Sequence, residues 1–246
     1  TNIFNWKLFL ILFFLKSLLK GFVLFFKNIK NLNKKINTNN SFFFGDLSFK
    51  NFYFVRSLEN EDNIFTGVVK FLKKKTNFYT NTKEQNYKCS SFTISNNFTP
   101  AGRSINIILL IKFFFILLIS PVVFLYLLIF NHWPLILCSD EFFNYYIVKN
   151  KKKKNLFNSY LYTSKLYFYK PFYIYYLENN KIPAYYYFFS SNTYSIDKNV
   201  FKKEFWNLLN WKNYLIWNNH TLNFLKIKLK NKFNYSKCKY IHFETS

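Results

Sequence analysis

From Ile105 to Phe130 the chain reads INIILLIKFFFILLISPVVFLYLLIF, an almost unbroken apolar run. A helix that crosses a bilayer needs roughly 20 apolar residues, so residues 105–131 are expected to form a transmembrane helix. Lys112 lies roughly 10 Å of helical rise from Ile105, so its stem is expected to run back to the headgroups. The sharper alternative is a charge facing a partner helix or a polar path. Ser120-Pro121 falls near the middle, where proline removes one helical hydrogen bond and predicts a kink. Asn131-His132-Trp133-Pro134 supplies an interfacial tryptophan and a helix stop, as expected at a membrane border.

A second apolar stretch runs from Trp6 to Phe26 and contains Lys16 and Lys20. Its apolar residues favour insertion by roughly 0.3–0.6 kcal/mol each, against about 2.5–3.5 for each central lysine. The two sides nearly cancel, so residues 1–27 predict a helix that is marginal as a lone span. Lys16, Lys20 and Lys27 lie close in helical angle. One basic stripe suits an interfacial helix or a span packed within a complex, and the second reading is favoured.

The remaining regions are polar or aromatic. Residues 28–104 carry Lys-Asn-rich turns, an apolar patch at Phe42–Phe44, acids at Glu59, Glu61 and Asp62, and Lys73–Lys75. With thin apolar content, this basic region is expected to form loops and short elements held by partners. The three acids read as a solvated turn before a cation site. Residues 132–246 begin with Asp140-Glu141 and a lysine run at Lys149 and Lys151–Lys154, read as a solvated linker. Phe172–Leu177 and Ala184–Phe189 are aromatic segments separated by turn chemistry and predict a β-hairpin. Asp197 is placed to cap a helix from Lys198 to about Trp217. Leu225 to Lys230 alternates strictly and predicts a half-buried strand with one lysine face. The expected fold class is a membrane protein with α-helical span or spans and a small mixed α+β extramembrane region, irregular and stabilised by partner subunits.

Composition narrows the setting. Phe and Tyr number 35 and 20, whereas Gly and Pro number 4 and 5. Alanine occurs only at 101 and 184, and arginine only at 56 and 103. Phe, Lys, Asn, Ile and Tyr have AT-rich codons, so the pattern points to a very AT-rich genome, most economically that of an organelle. A net charge of +24 suits nucleic-acid phosphates or anionic lipid, and the same codon bias inflates lysine without any partner.

Little of the sequence speaks for catalysis. There is no GxGxxG motif or P-loop, and no carboxylate lies inside either apolar segment. Cys89, Cys138 and Cys238 have no zinc-site spacing. Cys238 and His242 could share a metal on a helix, but coincidence is the plainer reading. No histidine for haem lies within Ile105–Phe130. No cleavable signal pattern is expected, and the Asn-x-Ser/Thr matches at Asn97, Asn219 and Asn234 are expected by chance. The sequence therefore predicts no enzyme, no cofactor and no metal site. Candidate lipid-headgroup or partner contacts are Lys16, Lys20, Lys27, Lys112, Trp133, Lys226, Lys228 and Lys230.

The mixture of Phe runs, Lys/Asn linkers and isolated spans resembles the lineage-specific reading frames of ciliate mitochondrial genomes, the Ymf proteins. The resemblance covers the whole chain and is one of composition, with no motif behind it. It implies a structural supernumerary subunit of a mitochondrial inner-membrane respiratory complex, cytochrome c oxidase first. ATP synthase is the alternative within that class. A mitoribosomal RNA-binding protein is the alternative outside it, since lysine interleaved with aromatics suits phosphate contact and base stacking. Expected partners are other subunits of a large membrane complex and membrane lipids, cardiolipin above all, with nucleic acid less favoured. The larger C-terminal region is expected to face the matrix.

Overall fold

A computed structural model describes residues 3–30, 32, 41–45, 76–80, 87–88, 92–95, 98–102, 105–162, 170–187, 210–216, 222–223, 225–226 and 234–237. They fall into two compact units. One combines Thr1–Ile36 with Ala101–Leu156, and the other combines Asn37–Pro100 with Phe157–Ser246.

The first unit is helical. Helix α1 spans Ile3–Lys30 and α2 spans Ile107–Ile129. Both are long and apolar enough to cross a membrane. They run antiparallel, because Phe14 stacks on Phe124 with ring centroids 4.2 Å apart while Phe25 meets Phe114 at 5.3 Å. Asn106 caps α2, its side-chain oxygen accepting from the Ile108 N–H at 3.1 Å. The inward face of α1 carries Leu10, Phe14, Ser17, Gly21 and Asn28, all buried. Small residues on such a face let backbones approach closely. Gly21 is one case: an added Cβ would lie 2.6 Å from the Leu117 side chain and 3.0 Å from Phe143.

After α2 the chain does not leave the bundle. A short helix, α3 (Trp133–Leu137), leads through Cys138 into α4 (Ser139–Asn150). Ile136 joins Leu10, Phe14 and Phe124 in one core cluster. Phe143 and Tyr146 then contact Phe113, with centroids 6.0 and 6.2 Å away. Trp133–Asn150 therefore runs back along the two long helices. The sequence reading placed this segment in the extramembrane region 132–246; the structure packs it against the two long helices. The α4 segment mixes buried Phe143, Ile147 and Val148 with Asp140 and Glu141, so the sequence carries no long apolar run there.

The second unit is a sheet of eight strands: β1 (Ser41–Gly45), β2 (Thr76–Thr80), β3 (Tyr87–Lys88), β4 (Phe92–Ser95), β5 (Ser159–Tyr162), β6 (Ala184–Tyr187), β7 (Asn213–Ile216) and β8 (Asn234–Lys237). The spatial order is β3, β4, β2, β1, β5, β6, β7, β8. Among the described strands only the β3–β4 pair is antiparallel. Residues 28–104, expected to be loops and short elements, thus supply four strands of a continuous sheet. The order reverses between β1 and β5, whose register pairs Phe43 with Tyr160.

Parallel strands are covered on both faces, and the burial pattern shows it. Every residue of β1 and of β5 is buried. Phe43, Phe157 and Tyr160 pack ring against ring, and the Tyr160 hydroxyl donates to the Pro100 carbonyl at 2.8 Å. Gly45 is required where it stands, because the Tyr162 ring occupies the space a Cβ would take. The Tyr162 hydroxyl in turn hydrogen-bonds that of Tyr173.

Helix α5 (Phe172–Asn179) connects β5 to β6. The expected hairpin over 172–189 is therefore half right: Ala184–Tyr187 is a strand, but Phe172–Leu177 is helical. Pro171 is the N-cap residue, just outside the helix where its missing N–H breaks no intrahelical bond, and Tyr173, Ile174 and Leu177 bury one face at helical spacing. The anticipated turn is real, with Lys181 at φ 61°. Farther on, Asn213–Ile216 is β7 where a helix to Trp217 was expected, and residues 198–209 lie outside the described residues. Leu225 and Lys226 are helical, not extended. The rest of that alternating stretch, with Lys228 and Lys230, lies outside the described residues.

Candidate lipid and partner contacts

The helical unit holds the candidate surfaces. At one end of the antiparallel pair, Trp6 meets Trp133 edge-on at 5.7 Å, and both rings are partly exposed. At the other end, the start of α2 and the end of α4 enclose a cavity of about 310 Å³ lined by Asn106, Lys112, Asn150, Lys151, Lys152, Lys154 and Asn155 with Ile108 and Leu109. Four lysines and three asparagines thus converge beside the exposed Ile108. Its polar lining is lysine and asparagine with no carboxylate, a set suited to phosphate oxygens.

Lys151 differs from its neighbours. It is 6 % exposed and donates to the Ala101 carbonyl. Burial pulls its amine down to about 7, because desolvation disfavours the charged form.

Midway along α1 the charges are handled differently. Lys20 bonds both carboxylate oxygens of Asp140, at 2.5 and 2.7 Å. Asp140 lies in the first turn of α4, where a negative charge also suits the helix dipole. One α1 turn earlier, Lys16 lies on the same exposed face. With Leu12, Leu15, Leu19, Lys20 and Val23 it lines an open groove of about 500 Å³.

The sequence-derived candidates therefore separate. Lys112 lies in the basic cavity, Trp133 in the aromatic end, Lys20 in an internal ion pair and Lys16 in the outward groove. Lys27 is half-buried near the basic end, and Lys226 is exposed in the other unit. The sequence missed Asp140 as a partner, since it stands 120 residues from Lys20. It also read Lys151–Lys154 as a linker. The available signal was that Asp140 and Glu141 are the only acids in Thr1–Ile36 and Ala101–Leu156, while two lysines sit within an apolar helix.

In the sheet unit, Lys170 and Glu178 form a buried ion pair at 2.7 Å, with side chains 2 % and 3 % exposed. The Lys170 amine also sits 4.1 Å from the Tyr175 ring centroid. Among the described residues, no three His, Cys, Asp or Glu side chains converge in a way that could hold a metal ion. Cys89, Cys238, His242, Glu59, Glu61 and Asp62 lie outside the described residues.

No protein-family model, curated protein or solved structure matches this chain.

Proposed function

We propose that this protein is a structural subunit of a mitochondrial inner-membrane respiratory complex, with cytochrome c oxidase as first choice and ATP synthase as second. The observation that carries the membrane part is the outward face of α1 and α2. Leu12, Leu19, Val23, Ile107, Val122 and Ile129 are all more than half exposed, although both helices have mean hydropathy above 2. In water such a surface would be an aggregation site; in lipid it is the expected one. The mitochondrial part rests on the AT-biased composition and the likeness to the Ymf proteins.

The sheet constrains how the chain crosses. Strand β1 precedes α2 and β5 follows it, yet the two are neighbours in register. Both must then lie on one side of the bilayer, so an even number of passes separates Pro100 from Phe157. On this reading Trp133–Asn150 is the return pass, roughly 27 Å of helical rise. Lys112, Lys151, Lys152 and Lys154 gather at one end, and the tryptophan pair marks the other. By the positive-inside rule the lysine end faces the matrix. The basic cavity there would hold the phosphates of anionic lipid, cardiolipin being the abundant inner-membrane source.

The test is carbonate extraction of mitochondria, then native gel separation in mild detergent and mass spectrometry. Retention with comigration alongside oxidase or ATP-synthase subunits is the expected result. Release by carbonate with comigration alongside ribosomal RNA would overturn it in favour of an RNA-binding role.

A further inference from the structure

We infer that the outward groove of α1 receives an apolar membrane helix of a different protein, one that carries an aspartate or glutamate at mid-depth. The inference rests on the membrane reading of α1. If Lys7 and Lys27 mark the two borders, Lys16 lies roughly 14 Å from one and 17 Å from the other. That is beyond the reach of a lysine stem, so its ammonium cannot snorkel out. Intramembrane charges are costly and point to a partner group.

Lys20, one turn away, shows how this chain meets that cost internally, through Asp140. Among the described residues, Lys16 has no such counter-charge. Its surroundings are shaped for a helix. Leu12, Leu15, Leu19, Val23 and Phe26 are exposed at three- and four-residue spacings, a stripe that a second helix can pack along.

A second copy of this chain does not supply the missing charge. The helical unit holds only two acids. Asp140 is committed to Lys20, and Glu141 already has an interaction of its own. Complementarity therefore selects another protein with a carboxylate facing Leu12–Val23.

The experiment reconstitutes the full-length protein, donor-labelled, in phosphatidylcholine vesicles. Its retention after carbonate washing is scored first. Acceptor-labelled synthetic leucine-rich helices are then titrated in, with Asp, Asn or Leu at the centre. The expected result is association of the Asp helix about tenfold tighter than the Leu helix, the size of an interhelical polar contact in lipid. Lys16→Leu should erase the difference, and Lys16→Glu should transfer the preference to a Lys-centred helix. Both variants place tolerated side chains on an exposed position, and helix content by circular dichroism verifies that they fold. Equal affinity for Asp and Leu helices, or an unchanged preference in Lys16→Leu, overturns the inference alone. Self-association of two labelled copies through the Lys16 face also overturns it. Loss of the protein from washed vesicles overturns the membrane reading as well.

Discussion

The Ser120 hydroxyl donates to the Leu117 carbonyl at 2.8 Å. That oxygen is the one four residues before Pro121, so the proline has no N–H to offer it. The neighbouring serine fills the gap, and α2 continues from Ile107 to Ile129 with Pro121 inside. Replacing Ser120 with Ala should cost about 1 kcal/mol, the net size of one such bond. In a Pro121→Ala background the new N–H serves Leu117, and Ser120→Ala should then cost almost nothing. Unfolding in mixed detergent micelles, run as a double-mutant cycle, measures the difference.

Gly21 faces Leu117 and Phe143 at distances that leave no room for a side chain. Gly21→Val should force α1, α2 and α4 apart and destabilise the helical unit by about 1–3 kcal/mol, the usual range for overpacking. Gly21→Ala should be milder. Thermal unfolding of the detergent-solubilised protein ranks the two.

Glu178 and Lys170 make a buried pair in the sheet unit. Glu178→Gln keeps the shape and leaves an uncompensated buried ammonium, with an expected loss of about 3–5 kcal/mol. The double change Lys170→Met/Glu178→Leu removes both charges and should be near neutral or stabilising. Denaturant titration of the full chain followed by tyrosine and tryptophan fluorescence checks both signs.

Lys151 gives a pH dependence of definite sign. Its folded value of about 7 lies below the unfolded value of about 10.4. Between these limits the unfolded chain binds more protons, so stability should rise with pH from about 7 to about 10.4. Below pH 7 the burial cost is fully present. Lys151→Met should flatten this window, as read by unfolding midpoints across the pH range.

The proposed return pass is testable by labelling. In a chain with its native cysteines replaced by serine, His132→Cys and Lys154→Cys should react with a membrane-impermeant maleimide from opposite sides of the vesicle. Reaction from the same side would mean that Trp133–Asn150 does not cross.

The sequence made the long helices plain and the sheet obscure, for a physical reason. A continuous apolar run of bilayer length is a strong signal, and Ile105–Phe130 differs from the observed Ile107–Ile129 only at its ends. Strands covered on both faces lose the alternation by which strands are recognised. Phe42–Phe44 registered only as an apolar patch, and Tyr160–Tyr162 dissolved into an aromatic tract. For Phe172–Leu177, aromatic preference for strands suggested the wrong element, whereas Pro171 and the spacing of Tyr173, Ile174 and Leu177 were the better guide. The Lys20–Asp140 pair and the basic cavity depend on α4 folding back, which nothing local announces.

The pairing of β1 with β5 also sets an order of events. Ser41 and Asn158 bond each other across 117 residues, and the intervening chain contains the whole of α2, α3 and α4. At synthesis rates of about 5–20 residues per second, β1 waits on the order of ten seconds before its neighbour exists. During that interval one edge of β1 is open, an invitation to wrong pairing. Because β5 is made only after α2, α3 and α4, the central β1–β5 pair is among the last contacts the growing chain can close.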